Sequence, residues 1–454
     1  MEYPLVHEIT YQDPLAIFAL FAEQEGAVFL DSAELRPQCG RYSFIAVDPF
    51  LQFSSPQQDV FATLEQQFGL YPMKFHANLP PFQGGAAGYL SYDLCHQLEH
   101  LPRAQVDDMQ FADMMLGFYD LVIAFDHDVQ RAWVFSSGLP MPVEQREQHA
   151  QQRLQSLLKQ IAEVPKLIEK SSAVCKPTAI QANFSAAEYQ AAVKQTIEYI
   201  LAGDIFEANL SQRFHCTLPE GLSSFDLYQR LRLCNPAPFA AYVKFSDTVL
   251  ASASPERFLQ LKQGQVETRP IKGTRARGKT AAEDLALQEA LLASSKDRAE
   301  NIMIVDLMRN DLSRVCRDHT VDVPQLCGLE SYASVHHLVS VVKGTLKEDH
   351  NAIDLIKATF PGGSITGAPK LRAMEIIAEL ESTARGPYCG SIGYIGFNGD
   401  MDLSITIRTF AIKKGIVTFQ AGGAVVADSD PLQEYEETLT KAKALKRALT
   451  EVLN

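Results

Sequence analysis

The chain has 454 residues, 46% hydrophobic and 21% charged, the composition of a globular protein with room for two or three domains or one large elaborated core. Its 41 Lys and Arg against 55 Asp and Glu give a net charge of −14, which excludes a broad basic surface for nucleic acid or anionic membranes, so an anionic ligand needs a local cationic pocket. No apolar run approaches the roughly 20 residues that span a bilayer, the start MEYPLVHEITYQD has no secretory pattern, and the eight cysteines show no CxxC pairing, so a cytoplasmic protein with reduced thiols is expected.

Residues 1 to about 140 read as short strands and turns, with strands at 28–30, 42–47, 116–125 and 132–135. The run GGAAGY at 84–89 reads as a structural glycine-rich turn, since it lacks the Gly-Lys-Ser/Thr ending of a P-loop and opens no helix. From Val143 to about Lys166, Gln, Glu and Leu recur at helical spacing, and 171–178 reads as an extended polar connector. This boundary separates an N-terminal region, 1–165, from a second region, 180–454. A helix opens the second region, with Ser185 and Glu188 as a capping box, Phe184 stapling onto Tyr189 and Gly203 as the stop. The segment EANLSQR, 207–213, is strand-like.

Runs at 248–252 and 258–261, a turn at Gly264 and a third run at 266–271 lead into PIKGTRARG, 270–278. Crowding by Arg275 and Arg277, or burial, would favour the neutral amine of Lys272 and make it a nucleophile. A phosphate-gripping loop or a surface salt bridge is the competing reading of the same nine residues. A hairpin can bring Glu256, in SPER sixteen residues upstream, beside that amine.

A long helix over 294–315, apolar around most of its circumference, carries Asp297 and Glu300 on one face of its first turn. His337, in VHHL, reads on its own as a satisfied core histidine, and Arg408 lies in an apolar strand over 403–410. The stretches FPGGSITGAPK, 360–370, and QAGGA, 420–424, read as glycine-rich turns whose N–H groups can approach an anion, the first leading into a helix near Pro369. Asp430 caps a last helix, on which Glu434, Glu437 and Lys441 form one stripe. That stripe is either a solvated ladder or, together with 297 and 300, a site for a hard cation.

The order PIKGT, KDRAENIMIVDLMRNDL, HHLVS, FPGGSITGAPK, GSIGYIGF, SITIRT, AGGAVVADS, EYEETLTKA resembles the chorismate-utilising enzymes, densely over 180–445 and more loosely through GGAAGYLSYD in the N-terminal third. The resemblance implies an α+β fold of two packed antiparallel sheets flanked by helices, with 180–454 as the chorismate-binding catalytic part. It implies Lys272, Glu256 and His337 as catalytic groups, and Thr366, Tyr388, Arg408, Gly422, Gly423 and Lys441 as substrate contacts. It further implies Mg²⁺ held by Glu300 and Glu437, with Asp297 and Glu434 supporting through water.

Within that family, PIKGT with Lys272, where anthranilate synthases carry PIAGT, is similar to the members that aminate chorismate at C4 on the way to 4-aminobenzoate and folate. Those members imply ammonia from a separate glutamine amidotransferase subunit. Anthranilate formation, or a non-catalytic binder of tryptophan or chorismate, is the alternative; relatives bind tryptophan near the segment matching Leu30 to Ser32, within 1–165. Glu207 departs from the glutamine of most ammonia-using relatives and from the lysine base of isochorismate-forming ones. A protonated Glu207 imitating glutamine is expected, or one paired with Arg213 or another cation.

Overall fold

The structure, a computed structural model, describes residues 2–36, 39–55, 59–162, 179–332 and 335–451. The expected connector at 171–178 lies outside the described residues. Among them, a 12-stranded and a 10-stranded sheet account for the named strands, and every ladder between them is antiparallel. Strands such as Leu121–Asp126, Thr248–Ser254 and Ser391–Gly396 are buried along their whole length. Alternation of polar and apolar residues is therefore weak, because each sheet has helices on one face and the other sheet on the opposite face.

Three apolar cores make those layers. Phe44, Val122, Phe135 and Leu250 of the large sheet meet Tyr89, Ile392 and Tyr394 of the small one between the sheets. Outside the large sheet, Phe18, Leu157, Leu231 and Leu445 bring in four helices. Outside the small sheet, Leu64, Ile304, Met308, Ile356 and Met374 bring in four more. Strands from 1–165 and from 180–454 occur in both sheets. No helix among the described residues is long and apolar enough to cross a membrane, and the seven described cysteines are free.

Local signals hold where they are short-range. The helix Ala186–Leu201 has both capping-box bonds between Ser185 and Glu188, the Phe184 and Tyr189 rings 5.9 Å apart, and Gly203 at φ +86° behind it. Asp430 caps Pro431–Thr450, and Pro369 opens Lys370–Leu380.

Four expectations are corrected. The run 116–125 is two strands, Met114–Tyr119 in the small sheet and Leu121–Asp126 in the large one, split at buried Asp120, whose carboxylate takes Arg153 at 2.8 Å. The glycine-rich stretches at 84–89 and 420–424 are buried strands, Gly85–Leu90 and Ile416–Val425. Their glycines serve close approach: a Cβ on Gly88 would lie 2.1 Å from the Met115 carbonyl, and one on Gly422 would lie 2.4 Å from that of Leu210. The helix Ser295–Ser313 buries one stripe through Ile304, Val305, Met308 and Leu312 and leaves Ile302 exposed, so it is amphipathic rather than apolar all round. Arg408 interrupts its expected strand: Met401–Ile405 and Thr409–Lys413 belong to different sheets, with Arg408 at φ +55° in the break.

Candidate active site

Two neighbouring chain segments cross between the sheets at the same place. Thr248–Ser254 pairs with Thr409–Lys413 in the large sheet, and their continuations, Arg257–Lys262 and Met401–Ile405, pair in the small one. The crossings at 255–256 and 406–408 are stitched together by Ile405 N–H donating to the Glu256 carbonyl (3.0 Å) and Ala253 N–H donating to that of Arg408 (3.1 Å). Backbone groups leaving the ladders are thus satisfied locally. The side chains of Glu256 and Arg408 start from a fixed point where the chain passes from one sheet to the other.

Lys272 comes from the strand Ile271–Ala276, which pairs with Val335–Thr345. Ile271 faces Val339 while Thr274 faces His337, so one extra residue is accommodated at Lys272-Gly273. Gly273 has φ +84°, and a Cβ there would press on Asp297 at 2.9 Å. Such a bulge redirects a side chain out of the ladder pattern, which is the physical sense of Lys-Gly in PIKGT. The amine donates to Glu207 Oε1 at 2.7 Å, with side-chain exposures of 9% and 1%. The other oxygen, Glu207 Oε2, is buried and has no hydrogen-bond partner.

This pairing corrects two expectations. Arg275 is engaged by Asp297 (2.9 Å) and Arg277 by Asp284 (2.8 Å), so neither crowds Lys272. Burial alone would lower the amine's pKa, but Glu207 and Glu300 override it and the net shift is upward, making Lys272 an ammonium at rest. Arg213 is held by Asp108 at 2.7 Å. Glu207 is therefore paired with the lysine itself rather than with Arg213.

Burial raises the Glu256 carboxyl to about 7, with a hydrogen bond from Ser364 and the charges of Lys272 and Lys441 only partly opposing it. Ile271 N–H lies 3.5 Å from Glu256 Oε1, which joins the acid to the Lys272 strand as the sequence reading required. His337 is pushed down to about 4 by burial and by Arg36 and Arg408, and its Nδ1 sits 2.8 Å from the Thr274 hydroxyl. It is a neutral imidazole at neutral pH.

Arg408 meets no carboxylate within ion-pair distance among the described residues. Burial lowers its pKa, while Tyr388 and Glu437 raise it, and one guanidinium N–H donates to the Lys441 carbonyl at 2.5 Å. A half-buried guanidinium without a counter-ion is a receptor for an anion. Tyr388 is buried nearby. Lys441 is paired with Glu437 (2.6 Å) and also donates to the Gly422 carbonyl. The Thr366 hydroxyl turns back to the Gly362 carbonyl (3.0 Å), within its own loop.

The acids of the two helices share neighbours: the charge of Lys272 reaches both Glu300 and Glu437, and that of Lys296 reaches Glu300, Glu434 and Glu437. Burial raises Glu300 to about 7 and raises Glu434, which accepts from Ser429. At Glu437 burial is outweighed by Lys441, and its pKa falls. A Cβ on Gly423 would lie 3.1 Å from Glu434 Oε2 and 3.2 Å from Glu437 Oε1, so the glycine keeps that space open. Among the described residues no group of three or more His, Cys, Asp or Glu is gathered closely enough to hold a metal ion by itself. The four acids are an all-oxygen set, the donor type of a hard divalent ion completed by water and ligand oxygens, though Asp297 is paired with Arg275 and Glu437 with Lys441. Sequence reasoning missed Ser364 and Lys296; the first lies between the glycines of FPGGSITG and the second one turn before Glu300, visible as positions but not as partners.

A family model described as chorismate binding enzyme matches residues 27–447. The chain belongs to the chorismate-binding enzymes. The aminodeoxychorismate synthase component 1 of Klebsiella aerogenes is 44% identical over 374 residues, covering 82% of this chain and 79% of that one. An anthranilate synthase component I-like protein of Synechocystis is 40% identical over 443 residues, covering 95% and 88%. The solved anthranilate synthase component I of Streptococcus pneumoniae superposes with a TM-score of 0.78 at 33% identity, over 91% of this chain and 93% of that one. The sandwich of two antiparallel sheets is the fold these chorismate enzymes share.

A cavity of about 250 Å³ lies between the sheets, lined by Leu30, Asp31, Ser32, Tyr42, Arg257 and Tyr394 among others. Asp31 is already bonded to Arg232 (2.6 Å) and Tyr228 (2.8 Å), and Arg257 to Asp402 (3.0 Å).

Proposed function

We propose that this chorismate-utilising enzyme replaces the C4 hydroxyl of chorismate with an amine, giving 4-amino-4-deoxychorismate for 4-aminobenzoate and folate synthesis. The observation that carries the reading is the buried Lys272 amine beside Glu256, an acid that still holds its proton near neutral pH. Glu256 protonates the departing C4 hydroxyl, which leaves as water, while the neutral amine of Lys272 adds at C2. Ammonia then attacks C4, expels the lysine, and passes its surplus proton to the Glu256 carboxylate. Arg408 and Tyr388 grip substrate carboxylate, and neutral His337 offers a hydrogen bond without adding charge. Glu300 and Glu437, backed by Asp297 and Glu434, are the groups that would hold Mg²⁺, which when bound offsets charge developing on the ring.

Ammonia is scarce as the free base at neutral pH, so a separate glutamine-hydrolysing subunit is proposed as its source; relatives named component 1 support a second component. The cavity beside Leu30 to Ser32 is the proposed tryptophan pocket. Anthranilate formation is the second reading, favoured by relatives of that name at similar identity. Mass spectrometry of the product from chorismate, Mg²⁺ and ammonium salt tests the choice. A product with amine in place of hydroxyl and the enolpyruvyl group retained is expected; anthranilate plus pyruvate would sink it.

A further inference from the structure

The Lys272 nucleophile of the proposed reaction is unusable while it carries its proton, and its neighbours keep that proton on. The groups facing it are Glu207 from the strand Glu207–Thr217, Glu300 from the helix Ser295–Ser313, Glu256 from the sheet crossing and, more remotely, Glu437 from the last helix. Of these, Glu207 is the one within hydrogen-bond distance, at 2.7 Å. Its position is fixed by backbone. Ala368 is its ladder partner, Phe206 N–H donates to the Ala368 carbonyl at 2.7 Å, and a Cβ on Gly367 would lie 2.1 Å from the Glu207 carbonyl.

We propose that Glu207 is the proton acceptor that frees the Lys272 amine. The unpartnered Oε2 is the second observation behind this. Glu207 therefore keeps a buried acceptor oxygen that no other group claims, and the Lys272 amine is the one donor its carboxyl meets. Ion pairs also lose ground to their neutral form when water is shut out, so a substrate filling the site pushes the proton from Nζ to Oε1. In that step an N–H bond breaks, an O–H bond forms on Glu207, and the freed electron pair makes the N–C2 bond as the C4–O bond breaks. When ammonia adds at C4, the C2–N electron pair returns to Lys272, which takes its proton back from Glu207. The pair ends as it began, and the net reaction is chorismate plus ammonia to aminodeoxychorismate plus water.

The inference rests on Lys272 acting as the nucleophile, and the experiment separates the two. Wild type and Glu207→Gln are mixed with chorismate and Mg²⁺ in ammonium-free buffer, quenched in acid at short times, and weighed intact for a covalent adduct on Lys272. From pH 6.5 to 8.5 the wild-type rate of adduct formation should follow Glu256 alone, falling as that carboxyl loses its proton at about 7, because the Lys272 proton moves within the pair. Glu207→Gln should be at least tenfold slower at pH 7, and the ratio of wild-type to variant rate should shrink about tenfold per pH unit, because the variant's amine must lose a proton to solvent while Glu256 titrates alike in both; a merely structural defect would leave that ratio constant. Equal rates and profiles in the two proteins overturn the role of Glu207 alone. Absence of any adduct in wild type overturns the nucleophile reading, and the proton-acceptor role with it.

Discussion

Replacing Glu256 by glutamine should make the protein more stable above neutral pH while removing its activity. In the folded chain the Glu256 carboxyl holds its proton up to about 7, against an ordinary 4.5. Between those values the folded state binds a proton that the unfolded state has released, so this group's contribution falls as pH rises and is fully lost above 7. At about 1.4 kcal/mol per pH unit, the interval corresponds to roughly 3 kcal/mol. Glutamine cannot ionise and escapes that loss, while Glu300 titrates alike in both proteins and cancels in the comparison. Unfolding entropy near ~2.1 cal/mol/K per residue converts the difference to about 3 °C in Tm for a chain of this length. Thermal unfolding of wild type and Glu256→Gln at pH 5 and pH 8 is the assay. The variant should gain about 3 °C on wild type between the two pH values and lose at least a hundredfold in turnover. A constant Tm difference across pH would refute the raised carboxyl, and retained turnover would refute its role as acid.

Lys272→Ala should abolish aminodeoxychorismate formation and, by stranding the buried Glu207 carboxylate, destabilise the fold by about 3–5 kcal/mol; denaturant unfolding of the double variant with Glu207→Gln should recover most of that loss. Arg408→Ala should raise KM for chorismate by at least thirtyfold, about 2 kcal/mol, with little change in Tm, since no internal ion pair is broken. Glu437→Gln should weaken Mg²⁺ binding in calorimetry and raise the Mg²⁺ needed for half-activity by tenfold or more; an unchanged titration would return Glu437 and Lys441 to a surface ladder. Tryptophan should raise Tm through the cavity beside Leu30, and Ser32→Trp, which fills the space, should remove that effect.

What the sequence displayed was chiefly local. The capping box at Ser185, the proline opening at Asp430-Pro431 and the paired acids at 297 and 300 each depend on residues a few positions apart, and each occurs where expected. The sheet crossings were hidden, because an apolar run looks the same whether it stays in one sheet or passes to the other; the only marks were single polar residues, Asp120 and Arg408, inside those runs. Glycines in buried strands passed for turns, since close approach of two backbones and a change of direction demand the same residue. The partner of Lys272 was out of reach for a different reason: Glu207 is 65 positions away, and two arginines in the same motif offered themselves as nearer neighbours. Charges close in sequence were in fact drawn off to Asp297 and Asp284, and the electrostatics of the amine reversed sign.

Delivery of nitrogen to C4, with the enolpyruvyl group retained, is the central proposal. The most direct measurement is NMR of the product formed from ring-labelled ¹³C chorismate and ¹⁵N ammonium salt. A one-bond ¹⁵N–¹³C coupling at C4, with the enolpyruvyl group still attached, is predicted. Coupling at C2, with release of pyruvate, would contradict it.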